Sequence, residues 1–307
     1  MRITHTMLQN NMLNNLFKSQ AQMEKYFTQI YTGKKISRPS DDPVIAMKGM
    51  GYRTQVTEVE QFRRNALDAW NWMDHSDDVL DKATKAVQRM EYLAVQAANG
   101  SYSEDERISV MKEVEQLQEQ LVELANTKVN GKYIFNGTNT DKPPINPTPD
   151  ENGKYHVTFG DGDGLDEIFP VQIEISKGIK IPINVSPEGI FDQELFDNIN
   201  GFINALKNDD NVAEGEATID DSIEALNKSM LNIVNGRAEL GARMNRVELI
   251  EDRLAEQEII AKDTMMKNEG VDFEEAVTNL LTQEVIHRAA LSAGAKIIQP
   301  SLIDFLR

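Results

Sequence analysis

From Ile219 to Met265 the sequence places a residue of one set alternately four and three positions after the last, for fourteen positions without interruption. Eleven of the fourteen are apolar, and only Arg237, Glu251 and Glu258 are charged. An α-helix shows such a series as one stripe, and a stripe held this long is that of a coiled coil or long bundle. A second series runs from Ile45 through Val59, Ala66, Trp70, Met73 and Leu80 to Ala94. At 1.5 Å per residue, a helix over 44–98 spans roughly 80 Å. Shorter series follow Leu13, Leu16, Met23, Phe27 and Ile30, with one polar member at Gln20, and Val110 to Leu124. The chain must build rods.

The rods have legible ends. In "TGKKISRPSDDPVIA" (32–46), Gly33 and Pro39 break the first helix. Asp42 is placed to cap the next, and Pro43 takes its first position, where a missing N–H costs nothing. Asn99-Gly100 ends the second helix, and Ser103 with Glu106 forms a capping box for the third.

A different texture lies between the third helix and the late ones. "DKPPINPTPDENG" (141–153) is a linker by its prolines and Asx residues. Period-two alternation follows at Tyr155–Phe159, Phe169–Ile175 and Ile179–Val185, the last two joined by Ser176-Lys-Gly178 as a hairpin. Pro182 puts the final strand at an edge or bulge, and "DNVAEGEA" (210–217) is a loop. The fold class is therefore mainly α with a small β insertion: a long helical rod formed by both halves of the chain, in the order three helices, strands, three helices. Such an insertion makes the two halves pair non-locally.

Composition excludes several activities. The net charge of −18 lacks the basic footprint of general nucleic-acid binding. It is unevenly spread, since residues 1–40 hold six Lys/Arg against one Glu, whereas 141–221 hold 18 acids against five lysines. The absence of cysteine removes disulfides, thiolate metal sites and cysteine nucleophiles. No stretch has the roughly 18 apolar residues of a membrane span, and the first residues lack a signal-peptide core. His5, His75, His156 and His287 are scattered without metal-ligand spacing. "TGKK" lacks the upstream glycine of a phosphate loop. In "FGDGDGLDE" (159–167), Leu165 occupies a ligand position of a calcium loop and the glycine is misplaced. No residue set is catalytic, cofactor-binding or metal-binding, and no cofactor is called for.

"LAVQAANGSYSEDER" (93–107), "TGKKISRPSDDP" and "GARMNRVE" (241–248) resemble the flagellin superfamily. "GKYIFNGTNTDKPP" (131–144) and the ending "AGAKIIQPSLIDFLR" (293–307) are similar to its hook–filament junction branch. The resemblance covers residues 1–142 and 195–307 and implies three parts. These are a terminal coiled coil (1–40 with 270–307), a helical rod (41–142 with 195–269) and an outer β domain (143–194). It implies a structural, non-enzymatic part of the bacterial flagellum, outside the cell. Export would use the flagellar type III apparatus with an uncleaved signal and an export chaperone. Its partners would be further copies of the chain in a ring, the first junction protein on the hook side and flagellin on the filament side. A filament subunit and a secreted rod-like binding module are the alternatives.

On this reading Gly33, Pro39, Asp42 and Pro43 form the joint between terminal coiled coil and rod. The expected assembly interface is Leu13, Leu16, Met23, Phe27 and Ile30 from one end, with Leu280, Leu291, Ile298, Leu302 and Phe305 from the other. A lone helix of this kind buries too little surface to be stable in water. The same stripes could equally close an intramolecular bundle.

Overall fold

The computed structural model describes residues 5–98, 103–146, 148–150, 154–157, 169–185, 189–207 and 218–298. Within them lie α1 (His5–Thr32), α2 (Pro43–Ala97), α3 (Glu104–Ala125), α4 (Gln193–Lys207), α5 (Ile219–Glu269) and α6 (Phe273–Ile298). Between α3 and α4 come β1 (Lys128–Val129), β2 (Lys132–Tyr133), β3 (Gln172–Ser176) and β4 (Ile179–Pro182), forming two separate antiparallel pairs. The protein is mainly helical with a small β region, in the order the sequence predicts. Asn99-Gly100, Phe159, the acidic turn at 159–167 and the loop at 210–217 lie outside the described residues.

The chain forms two compact units, one from Met1–Glu58 with Glu256–Arg307 and one from Val59–Ala255. In the second unit, one continuous core takes side chains from α2 to α5 and from the insertion. Along α2 the buried face runs Ala66, Ala69, Met73, Ser76, Leu80, Ala83, Val87, Met90, Ala94 and Ala97, alternating three and four. The sequence series put Trp70 on this seam, but Ala69 is buried there and Trp70 is 39% exposed. Small residues at 69, 76 and 83 let neighbouring backbone approach, and an indole there would force it apart.

The long series on α5 keeps its apolar members inward, with Leu226, Ile233, Leu240, Val247 and Leu254 buried. Two of its charged members sit at the margin of this core and are paired. Arg237 donates to Asp77 at 2.8 Å and to Asp81 at 2.6 Å, and Glu251 accepts from Arg63 at 3.1 Å. The two aspartates, Asp77 foremost, push the Arg237 pKa further up. A charged residue in a heptad is tolerated where it reaches water and a counter-charge.

The insertion is fastened to the helices by side chain to backbone hydrogen bonds. Asn65 on α2 donates to Glu174 O at 2.8 Å, and Arg243 on α5 donates to Asn184 O at 2.9 Å. Gln193 on α4 accepts from Val157 N–H at 3.0 Å. Phe135 and Phe191, both fully buried, meet edge to face at 5.0 Å. At Gly236 a Cβ would overlap the Ile190 side chain, so a glycine in mid-helix is what lets the insertion lie close to α5.

Pro182 closes β4 opposite Gln172, and in a two-stranded pair both strands are edges, where a missing N–H is tolerated. The irregularity in this ladder lies on β3, between Glu174 and Ser176. The β1–β2 hairpin was not read from the sequence. Its signal is Asn130-Gly131, both at positive φ (52° and 80°), as a two-residue type I′ turn requires.

Candidate assembly interface

In the first unit α1 and α6 lie side by side and run antiparallel. Gln283 on α6 donates to the Ser19 hydroxyl on α1 at 3.0 Å, and Ser19 is buried. One helical stretch further along, a Cβ at Gly294 would overlap the Met12 side chain. At the opposite end, Lys34 and Gly270 form a single antiparallel β-bridge. The descending partners fix the direction of the pair.

This seam consumes only part of the apolar surface. Of the expected interface residues, Leu16, Met23, Ile30 and Leu280 are half-buried, whereas Leu13, Phe27 and Leu291 are exposed, Phe27 to 63%. Ile298 ends α6 with its side chain outside the described residues, as are Leu302 and Phe305 altogether. Further large apolar side chains are exposed on the same helices: Phe17 and Tyr31 on α1, and Leu281, Val285 and Ile286 on α6, Tyr31 to 84%. The 4–3 count missed them because they fall outside one stripe. The readable signal was the doubling of apolar residues in "LL" (280–281) and "VI" (285–286), which gives α6 two apolar faces. An exposed apolar surface on this scale is of the kind found at interaction sites.

Charge divides unevenly between the two units. Residues 1–58 and 256–307 together hold 13 Lys/Arg and 13 Asp/Glu, so the first unit is neutral. The remaining residues hold 19 against 37 and carry the whole net charge of −18. Copies of the neutral unit can approach without the mutual repulsion that acts between the acidic ones.

The connection from α1 to α2 is held by local chemistry. Gly33 adopts φ +68°, which stops α1, and its N–H still donates to Gln29 O at 2.9 Å. Pro39 lies in a turn. The Asp41 carboxylate accepts the N–H groups of Arg38 (2.9 Å) and Ser37 (3.1 Å), which hold its pKa below the usual carboxylate range. Asp42 caps α2 by accepting from Val44 N–H at 2.9 Å and Ile45 N–H at 3.1 Å, with Pro43 at the first helical position.

A second connection, from α5 to α6, docks onto the first. Lys35 N–H donates to Glu269 O at 2.7 Å, Val271 N–H to Gly33 O at 3.0 Å, and the Asn268 amide to Ile45 O at 3.1 Å. The Glu269 side chain, 8% exposed, accepts from Arg53 at 2.5 and 3.2 Å, with the Lys34 ammonium 4.0 Å away. Asp272 then caps α6 at Glu274 and Glu275. Sequence reading had no signal for Glu269, because its partners are 216 and more residues distant along the chain.

A polar cleft of about 500 Å³ opens between α3 and α4, lined by Glu115, Gln118, Tyr155, Asp197, Asn200 and Lys207 among others. Four of its charges are paired, Lys154 with Asp197 at 3.0 Å and Lys207 with Glu115 at 4.0 Å. Burial first, then the negative Glu119, push the Tyr155 phenol up. Among the described residues there is no group of three or more His, Asp or Glu placed to hold a metal ion. No helix among them is long and apolar enough to cross a membrane.

Residues 3–140 match the bacterial flagellin N-terminal helical region, and residues 223–306 the bacterial flagellin C-terminal helical region. Flagellar hook-associated protein 3 of Escherichia coli K12 is 28% identical, over 95% of this chain and 96% of its own length. Flagellin FlaB1 of Treponema pallidum is 26% identical over the full length of both. The solved flagellar hook associated protein-3 of Legionella pneumophila shares the fold with a TM-score of 0.60 at 15% identity, over 70% of this chain and 97% of its own. The two matched regions are the two ends of the chain, which supply α1 and α6 as well as the long α2 and α5. The chain belongs to the bacterial flagellin family.

Proposed function

We propose that this chain is a structural component of the bacterial flagellum, built into the junction between hook and filament in the manner of hook-associated protein 3. The observation that carries the proposal is the unmatched apolar surface of the α1/α6 pair on a neutral unit. Covering it requires further helices of the same kind, and neighbouring copies and flagellins supply them. At roughly 25 cal/mol per Å², several large side chains per copy contribute on the order of 5–10 kcal/mol before ordering costs. The interface comprises Leu13, Leu16, Met23, Phe27 and Ile30, with Leu280, Leu291, Ile298, Leu302 and Phe305.

On this proposal residues 1–40 and 270–307 form the inner layer, 41–142 and 195–269 the rod, and 143–194 the outer part. Gly33, Pro39, Asp42 and Pro43 form the joint between the first two. Copies stand in a ring, meeting the first junction protein on the hook side and flagellin on the filament side. The chain reaches this place through the flagellar type III apparatus, without a cleaved signal peptide and with an export chaperone, and performs no catalysis. Removing the gene tests the assignment. Intact hooks with flagellin released into the medium are the expected outcome, and normal filaments would overturn it.

A filament subunit is the second reading, favoured by full-length similarity to a flagellin. Copy number decides between them, because a junction component occurs in few copies per flagellum and a filament subunit in very many.

A further inference from the structure

Two residues near the α1–α2 connection are unfavourable taken singly and fit each other. Glu269 is the last residue of α5, where the negative end of the helix dipole opposes an anion, and its side chain is almost wholly removed from water. Gly49 lies inside α2, where glycine is a poorer helix former than alanine. A Cβ at Gly49 would overlap Glu269 Oε1, so the glycine makes room for the carboxylate. Arg53, one turn further along α2, supplies its counter-charge through two hydrogen bonds. The Glu269 carbonyl meanwhile accepts the Lys35 N–H, so this residue grips α2 with its side chain and the α1–α2 connection with its backbone.

We propose that Glu269 is a positioning residue: with Gly49 and Arg53 it forms a clasp that sets how the α1/α6 pair is held against the start of α2. This deepens the assembly reading above and rests on it, since the placed pair is the surface offered to neighbouring copies. A helix of ordinary stability would carry Gln or Lys at 269 and Ala at 49. The chain retains the opposite choice at both positions, and they are complementary only when the carboxylate occupies this spot.

The absence of cysteine allows paired spin labels at Gln22→Cys on α1 and Gln55→Cys on α2, both exposed and both in the first unit. In the free, full-length chain the clasp predicts one narrow distance distribution. Glu269→Gln and Gly49→Ala both broaden it, and amide exchange at Lys35 and Val271 rises at least about tenfold. Val247→Ala, a cavity in the buried core of the second unit, lowers thermal stability but leaves the distribution narrow. In the double variant Gly49→Ala/Glu269→Ala the overlap is gone, so thermal stability recovers relative to Gly49→Ala while the distribution stays broad. A narrow distribution in the double variant, or unchanged exchange at Lys35 and Val271 in Glu269→Gln, overturns the proposal. These readings are made on the free chain, so they fail or succeed independently of the gene-removal experiment.

Discussion

Replacing Phe191 by alanine tests whether the insertion and the helices share one core. Phe191 is fully buried, meets Phe135 edge to face at 5.0 Å, and belongs to the same continuous cluster as Leu80, Leu121 and Leu240. Truncating a buried phenylalanine costs about 3–5 kcal/mol through lost transfer energy and the cavity left behind. The aromatic pair adds about 0.5–1.5 kcal/mol. With a urea slope of about 2–3 kcal/mol/M, the unfolding midpoint should fall by about 1–3 M. The chain's two tryptophans, Trp70 and Trp72, both lie on α2 and report the transition by fluorescence. Because the probe sits on the helix and the cavity in the insertion, the shift reads their coupling directly. A tryptophan transition left within about 0.3 M of wild type would refute the shared core.

Other perturbations separate local from global effects. Asp42→Ala removes the cap on Val44 and Ile45 and should cost about 1 kcal/mol of stability in the first unit, read by thermal unfolding. The Ser103 N–H, then its hydroxyl, hold the Glu106 pKa below its usual range, so their stabilisation is complete above the unfolded value of roughly 4.3 and fades as pH falls through the lower folded value. Protection factors in the first turn of α3, corrected for the intrinsic pH dependence of exchange, should therefore fall at acid pH, and Glu106→Gln should abolish that dependence. Because the second unit carries −18, raising salt within the physiological range should strengthen self-association measured by sedimentation. Deleting residues 298–307 should leave a folded rod that fails to enter junctions, scored by its incorporation into purified hook–filament complexes.

What could be read from the sequence was what depends on neighbours along the chain. The stop at Gly33, the Asp42-Pro43 start and the Ser103–Glu106 box are satisfied by residues at most four positions away. Helix periodicity is likewise local, and it made α1, α2, α3 and α5 legible as series. Misplacing Trp70 on the seam followed from ranking residues by hydrophobicity, whereas the observed seam is set by how closely small residues let backbones approach. The Asn130-Gly131 hairpin was present as a dipeptide signal in too short a stretch for alternation to reveal it. Glu269 could not be found this way, because the carboxylate acquires its meaning only from Gly49 and Arg53. The width of the apolar surface on α6 was underestimated for a related reason, since a single-stripe count presumes that a helix has one partner.

The central claim is that the apolar faces of α1 and α6 are left open in the free chain and closed by neighbours in the flagellum. Hydrogen exchange at α1 and α6 measures this, compared between the free chain and the chain incorporated into isolated hook–filament complexes. Protection should rise by at least about a hundredfold on incorporation, while the core of the second unit, already closed, changes little. Full protection of both helices in the free chain, with no further gain on incorporation, would contradict it.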